Sequence, residues 1–210
     1  TGEPAIYTKA GDGYIHSWLL HGAYSTADPL PGVDWGDTGD PSAKWGVWQQ
    51  TNLDTDFLAA VGGEATVQPA PGDAGPNTGL WFPYTNTGWS IPLSGITWTS
   101  SGQAMSTIYA SVWLFADREY KSYDPFAGEQ NDGLQILVGS DDGYKLYLNG
   151  QQLNEYNIWR GAVADADVID YDPNAMPFVL NQGWNHVMVK CNNITGGWAF
   201  GMRFMADDPV

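Results

Sequence analysis

Between Leu134 and Asn149 the chain reads LQILVGSDDGYKLYLN, and this stretch constrains the fold more than any other. Leu134, Ile136 and Val138 alternate with Gln135 and Leu137. After Gly-Ser-Asp-Asp-Gly, Tyr144, Leu146 and Leu148 alternate with Lys145 and Tyr147. Period two on both sides of a turn cluster predicts a β-hairpin with one face in a core. Asn149-Gly150 follows at once. Both residues tolerate positive φ, so a type I′ turn and a third strand over Gln151–Tyr156 are expected. The organising unit is then a three-stranded meander with Asp141 and Asp142 at one end.

Further strands are expected at Tyr14–Tyr24, Leu80–Tyr84, Pro177–Leu180, Trp184–Cys191 and Trp198–Met205, with brief pairing segments at Trp89–Ile91 and Ile96–Thr99. Thr107–Ala116 (TIYASVWLFA) is apolar on both faces, which predicts a central strand covered on both sides. From Ser25 to Asn52 the chain is dense in Pro, Gly and Asp and reads as a long loop carrying Trp35, Trp45 and Trp48. Asp54 or Thr55 is expected to cap a helical turn through Leu58–Val61. No run supports a helix beyond two or three turns. The fold class is therefore all-β: one domain over 1–210, a two-sheet β-sandwich of jelly-roll type with its core in about 14–206 and a Trp-bearing insertion at 25–52.

The 210 residues suit one such domain, and 43% hydrophobic residues allow a substantial core. The 11 Trp and 11 Tyr exceed what that core needs, which places some rings at the surface, where large flat side chains make contacts. A net charge of −16, from 24 acidic against 8 basic residues, argues against nucleic acid or anionic lipid as a partner. It permits hard cations, Ca²⁺ first, and neutral sugars. The single cysteine, Cys191, allows no internal disulfide and sits in phase with Val187 and Val189, as a small buried hydrophobe would. No apolar run reaches transmembrane length, so no membrane insertion is expected, and no signal peptide is visible.

The three histidines form no HxH or HExxH pattern and there is no CxxC, so a zinc site is not indicated. No Gly-x-Ser-x-Gly elbow or phosphate-cradling loop appears. Asp141-Asp142 has two readings: turn amides capped by the carboxylates, or a carboxylate pair that holds Ca²⁺. Trp159-Arg160-Gly161, followed by Asp165, Asp167, Asp170 and Asp172, joins an indole platform to a forked donor and several acceptors. Arg160 equally serves to neutralise that acidic loop and pin it to the hairpin. Asp34, Asp37 and Asp40 are spaced by three and either wrap a calcium ion or face water. Asn193-Ile194-Thr195 is a formal glycosylation sequon.

The series LQILVGSDDGYKLYLNGQQL, NIWRGAVADADV, VLNQGWNHVMVKCNN and GGWAFGMRF, with the Asp-x-Asp-Phe-Leu segment at Asp54–Leu58, resembles a module of secreted bacterial proteins of polysaccharide breakdown. Such modules are galactose-binding-like β-sandwiches, treated as non-catalytic appendages of hydrolases or lyases. The Gly-Ser-Asp-Asp-Gly segment is also similar to PA14-type lectin-like domains, some of which bind Ca²⁺ and sugar through a pair of Asp residues. The resemblance implies a secreted or cell-surface carbohydrate-binding module within a larger polypeptide. It would recognise a polysaccharide or oligosaccharide through Trp35, Trp45, Trp48, Trp159, Arg160, Asp165 and Asp167, with Ca²⁺ at Asp141 and Asp142 or at Asp34, Asp37 and Asp40. A calcium-rigidified structural or adhesion domain and a jelly-roll lyase or hydrolase are the alternatives.

Overall fold

The computed structural model of the chain describes residues 12–34, 43–77, 79–96, 105–122, 132–170 and 177–206. Strands β1 (Ser17–Tyr24), β2 (Phe82–Thr85), β4 (Ser106–Ala116), β7 (Tyr144–Leu148), β8 (Gln151–Tyr156) and β11 (Gly183–Asn193) form a six-stranded sheet in the order β2-β1-β4-β11-β7-β8. A second sheet, of four strands, has the order β3-β12-β6-β9, from β3 (Ile91–Pro92), β6 (Gln135–Asp141), β9 (Asp167–Ile169) and β12 (Ala199–Met205). β5 (Tyr120–Lys121) and β10 (Val179–Leu180) make a short separate pair. Every ladder between these strands is antiparallel.

One core lies between the two larger sheets. Leu20, Ile108, Ala110, Val112, Leu146, Val187 and Val189 from the first meet Ile91, Ile136, Val138, Phe200 and Met202 from the second. Trp18 and Phe200 bridge the layers edge to face, with centroids 5.1 Å apart. Cys191 is fully buried in this core, as its phase requires. The architecture is a two-layer, mostly β sandwich.

The Asp-Asp turn is where observation departs from expectation. β6 and β7 do not pair with each other: β6 pairs with β12 and β9, whereas β7 pairs with β11 and β8. Gly-Ser-Asp-Asp-Gly is thus a corner that carries the chain from one sheet to the other. Alternation could not distinguish the two cases, because strands facing each other across a core have the same period as strands lying side by side. The Asn149-Gly150 turn is as expected: both residues have positive φ, 51° and 83°, and β7 and β8 form the hairpin.

The stretch read as a loop from Ser25 to Asn52 contains helix α1 (Lys44–Asp54). It has no side-chain N-cap and no clean apolar stripe, so sequence signals were missing at its start. Its C-terminal end is instead held by the sheet. Lys190 Nζ donates to Leu53 O and Thr55 O, both at 2.6 Å, and Lys145 Nζ donates to Leu53 O at 2.9 Å. Two lysines from distant strands satisfy terminal carbonyls and complement the helix dipole. The expected turn near Leu58 is a 3₁₀ segment at Ala59–Val61, but Asp56, not Asp54 or Thr55, accepts the leading amide, Leu58 N, at 2.9 Å.

Candidate functional site

The corner joins β6 to β7 through a cis peptide between Asp141 and Asp142. Asp142 is fully buried. Its Oδ1 accepts Arg160 N at 3.1 Å and its Oδ2 accepts Ile194 N at 2.6 Å, while its own N donates to Asn192 O at 2.8 Å. Burial pushes the Asp142 carboxyl up to about 7, against the pull of those two amides. Asp141 is half-buried, and burial raises it as well. Glycines let the chain close around this pair. A Cβ on Gly197 would sit 2.6 Å from Asp141 Oδ2, and one on Gly143 would meet Gln49 Nε2 at 2.6 Å and Tyr156 O at 2.7 Å.

Arg160 binds the corner to the loop that follows β8. Its Nε donates to Ser140 O at 3.1 Å and one terminal nitrogen to Ser140 Oγ at 2.8 Å. Both terminal nitrogens also fork onto Asp167, at 3.0 and 2.5 Å. The guanidinium sits 4.9 Å from the Tyr156 ring centroid. Burial opposes its charge, yet the Asp167 bonds hold its pKa above the ordinary value. Arg160 and Asp167, expected among the sugar contacts, are chiefly engaged with each other. This is the pinning role weighed for Arg160, although the strands it pins belong to a corner.

Asp165 is placed elsewhere. It accepts the Tyr14 hydroxyl at 2.8 Å and pairs with Arg203 through Nε and a terminal nitrogen. Arg203 lies opposite Leu137, four positions along β6 from Asp141, so Asp165 ties the loop to the four-stranded sheet rather than to the corner. Trp159 stays outside these bonds with 47% of its surface exposed. It lies on the rim beside Arg160, whose backbone touches Asp142.

Trp45 and Trp48 are half-buried on α1. That helix is bound to the Trp159 segment: Gln49 Nε2 donates to Ile158 O at 3.0 Å, and Asn157 Nδ2 to Gln50 Oε1 at 2.8 Å. The fold therefore brings Trp45, Trp48, Trp159, Arg160, Asp141, Asp142 and Asp167 to one end of the sandwich. Asp34 is exposed. Trp35, Asp37 and Asp40 lie outside the described residues. Among the described residues no group of three or more His, Cys, Asp or Glu side chains is placed to hold a metal, so a cation at Asp141 and Asp142 would need carbonyl or water oxygens as further ligands. The sequon asparagine, Asn193, is fully buried in the fold.

Sequence reasoning missed the locking partners of this end: Gln49, Tyr156 and Ile194. Nothing in their local patterns marks them, because each is recruited by its position in space.

No family model and no curated protein matches the chain. Among solved structures, the PA14 domain of the MpAFP antifreeze protein aligns with a TM-score of 0.34 and 13% identity, covering 49% of this chain and 44% of that one. A β-glucosidase from Kluyveromyces marxianus, solved in complex with glucose, aligns with a TM-score of 0.42 and 10% identity over 66% of this chain. The match spans only 15% of the glucosidase.

Proposed function

We propose that this chain is a non-catalytic carbohydrate-binding module, of the jelly-roll, galactose-binding-like type, carried by a larger secreted or cell-surface polypeptide. The observation that carries the reading is the exposed Trp159 indole on the rim of the Asp141-Asp142 corner, on a loop held rigid by Arg160. An indole face accepts the C–H face of a pyranose, and a bonded loop presents it without an ordering cost on binding. The excess of acids over bases keeps the preferred polymer neutral.

Two observations support Ca²⁺ at the corner. The carboxyls of Asp141 and Asp142 are both pushed upward by burial, an unfavourable state that a divalent cation relieves. Gly197 leaves Asp141 Oδ2 approachable where any side chain would close it off. Bound there, Ca²⁺ would supply open coordination positions for sugar hydroxyls. Retardation in polysaccharide-containing native gels, with and without EDTA, tests the reading. Wild type is expected to be retarded more strongly by a neutral polysaccharide in Ca²⁺ than in EDTA, and Trp159→Ala to lose that Ca²⁺-dependent increment. Equal mobility of the two proteins across neutral plant, algal and microbial glycans would sink it.

A second reading has its own support. Both Asp142 oxygens already accept backbone amides, as they would in a purely structural lock. In a calcium-rigidified structural or adhesion domain, Ca²⁺ raises the melting temperature and no sugar shifts it further.

A further inference from the structure

Among the described residues, the outer face of the six-stranded sheet is covered over only part of its length. Leu19, Tyr109, Tyr147 and Met188 lie under Leu58 and Trp81, with Phe57, Ala65 and Val67 packed around them. Past Ser111 and Met188 the cover given by the described residues thins: His186 is still buried and Trp113 half-buried, and the outward side chains beyond them are exposed aromatics. Trp184 lies directly opposite Phe115, and His186 opposite Trp113. Phe115 is 63% exposed and Trp184 43%, and the two rings meet edge to face at 5.4 Å. Trp113 is half-buried against the His186 ring at 5.0 Å. His186 is in turn held by Ser111 Oγ at 2.8 Å from Nε2 and by Asn149 Oδ1, which accepts His186 N at 2.9 Å. A sheet face turned to water ordinarily carries polar residues, so folding alone does not explain this block.

We infer that Trp113, Phe115 and Trp184 form a second, cation-independent platform for a neutral polysaccharide chain. The rings sit on β4 and β11, two eleven-residue strands paired along their whole length, so they are presented rigidly. The block is bordered by hydrogen-bonding groups: Asn149 bonded to the His186 backbone, Gln182, just before β11, with its amide on Asp117 O, and the exposed Asp117, whose carboxyl accepts the Tyr120 hydroxyl at 2.8 Å. Such a border suits hydroxyls. The net charge of −16 opposes both polyanions and a second, equally acidic copy of this chain as occupants. The platform uses no residue of the Asp141-Asp142 corner, so the two surfaces stand or fall separately.

Affinity electrophoresis in EDTA separates them. Wild type, Trp159→Ala and the double variant Trp184→Ala/Phe115→Ala are run in gels containing hydroxyethylcellulose, arabinoxylan, galactomannan or polygalacturonate. At least one neutral polymer is expected to retard wild type and Trp159→Ala alike, with no retardation by polygalacturonate. The double variant is expected to bind about tenfold more weakly, as loss of aromatic rings in contact with the polymer implies. Near-ultraviolet circular dichroism checks its fold, and Phe115→Ser alone replaces it if it does not fold. The platform is overturned if no neutral polymer retards wild type in EDTA, or if the variant is retarded as wild type is. Polygalacturonate retardation of equal strength overturns it too, as does sedimentation showing a wild-type dimer that the substitutions dissolve.

Discussion

The two halves of the outer face of the six-stranded sheet are built from the same pair of strands and meet opposite fates. Under α1 and residues 55–67, the face carries a buried ionic network. Glu64 accepts the Tyr109 and Tyr147 hydroxyls at 2.7 and 2.6 Å and Lys190 Nζ at 3.0 Å, with Lys190 completely inaccessible to solvent. A few residues further along, the same strands offer Phe115 and Trp184 to water. The covered half uses charge to attach a poorly capped helix, and burial lowers the pKa of Lys190 while Glu64 resists that shift. The other half presents apolar rings, with Phe115 and Trp184 exposed to solvent. Polarity inside and aromaticity outside reverse the usual arrangement, which suggests attachment as the task of the first half and contact as that of the second.

The contrast breaks most sharply at Lys190. Lys190→Ala strands the Glu64 carboxylate and leaves the Leu53 and Thr55 carbonyls without this donor, and should cost about 3–5 kcal/mol in urea unfolding. The double variant Lys190→Met/Glu64→Gln should cost clearly less than the two single changes added together. A loss no larger than that of an ordinary surface change would show that the network attaches nothing. Next in size, Tyr147→Phe removes one donor to Glu64 and should cost about 1–3 kcal/mol by the same measurement.

A pH series sharpens the comparison further. Burial holds His186 at about 4, below its ordinary 6.5, so the folded state keeps it neutral and stability falls as pH drops from 6.5 towards 4. Asp142 has the opposite sign. Its folded value of about 7 lies above the ordinary 3.8, so the folded state retains the proton longer and stability falls as pH rises from 4 to 7. Because the two effects nearly cancel between pH 4 and 6.5, wild-type urea midpoints should change little there, whereas His186→Gln should expose a decline as pH rises and Asp142→Asn a decline as pH falls. Unchanged pH slopes in both variants would remove these groups from the account. Smallest of all, Phe115→Ala should change stability by no more than about 0.5 kcal/mol, since the residue is 63% exposed. A larger loss would mean that the bare half is part of the folding core after all.

The strands were largely legible. β4, β11, β12 and the β7-β8 hairpin fall close to where alternation and Asn149-Gly150 placed them. The reading of β4 as covered on both faces holds at Tyr109 and Ser111 and fails at Phe115, because an apolar outer position does not by itself imply a cover. Of the site, the neighbourhood of Trp159, Arg160 and the Asp pair was legible as chemistry. The Arg160–Asp167 lock was legible only as one of two uses for those residues. Helix α1 escaped notice because its attachment lies in Lys145 and Lys190, and Lys190 is 126 residues from the Glu64 that neutralises it.

By itself, the sequence determined that this chain is built of strands, where most of them run, that Cys191 lies inside, and that its net charge is strongly acidic. Only the tertiary structure decided that the Asp-Asp segment is a corner between sheets, that the segment after α1 packs with Trp81 over part of one outer face, and that Phe115 and Trp184 on the same face stay exposed. The reason is physical: alternation records that a strand has an apolar face, but which surface meets that face depends on contacts between residues far apart in the chain.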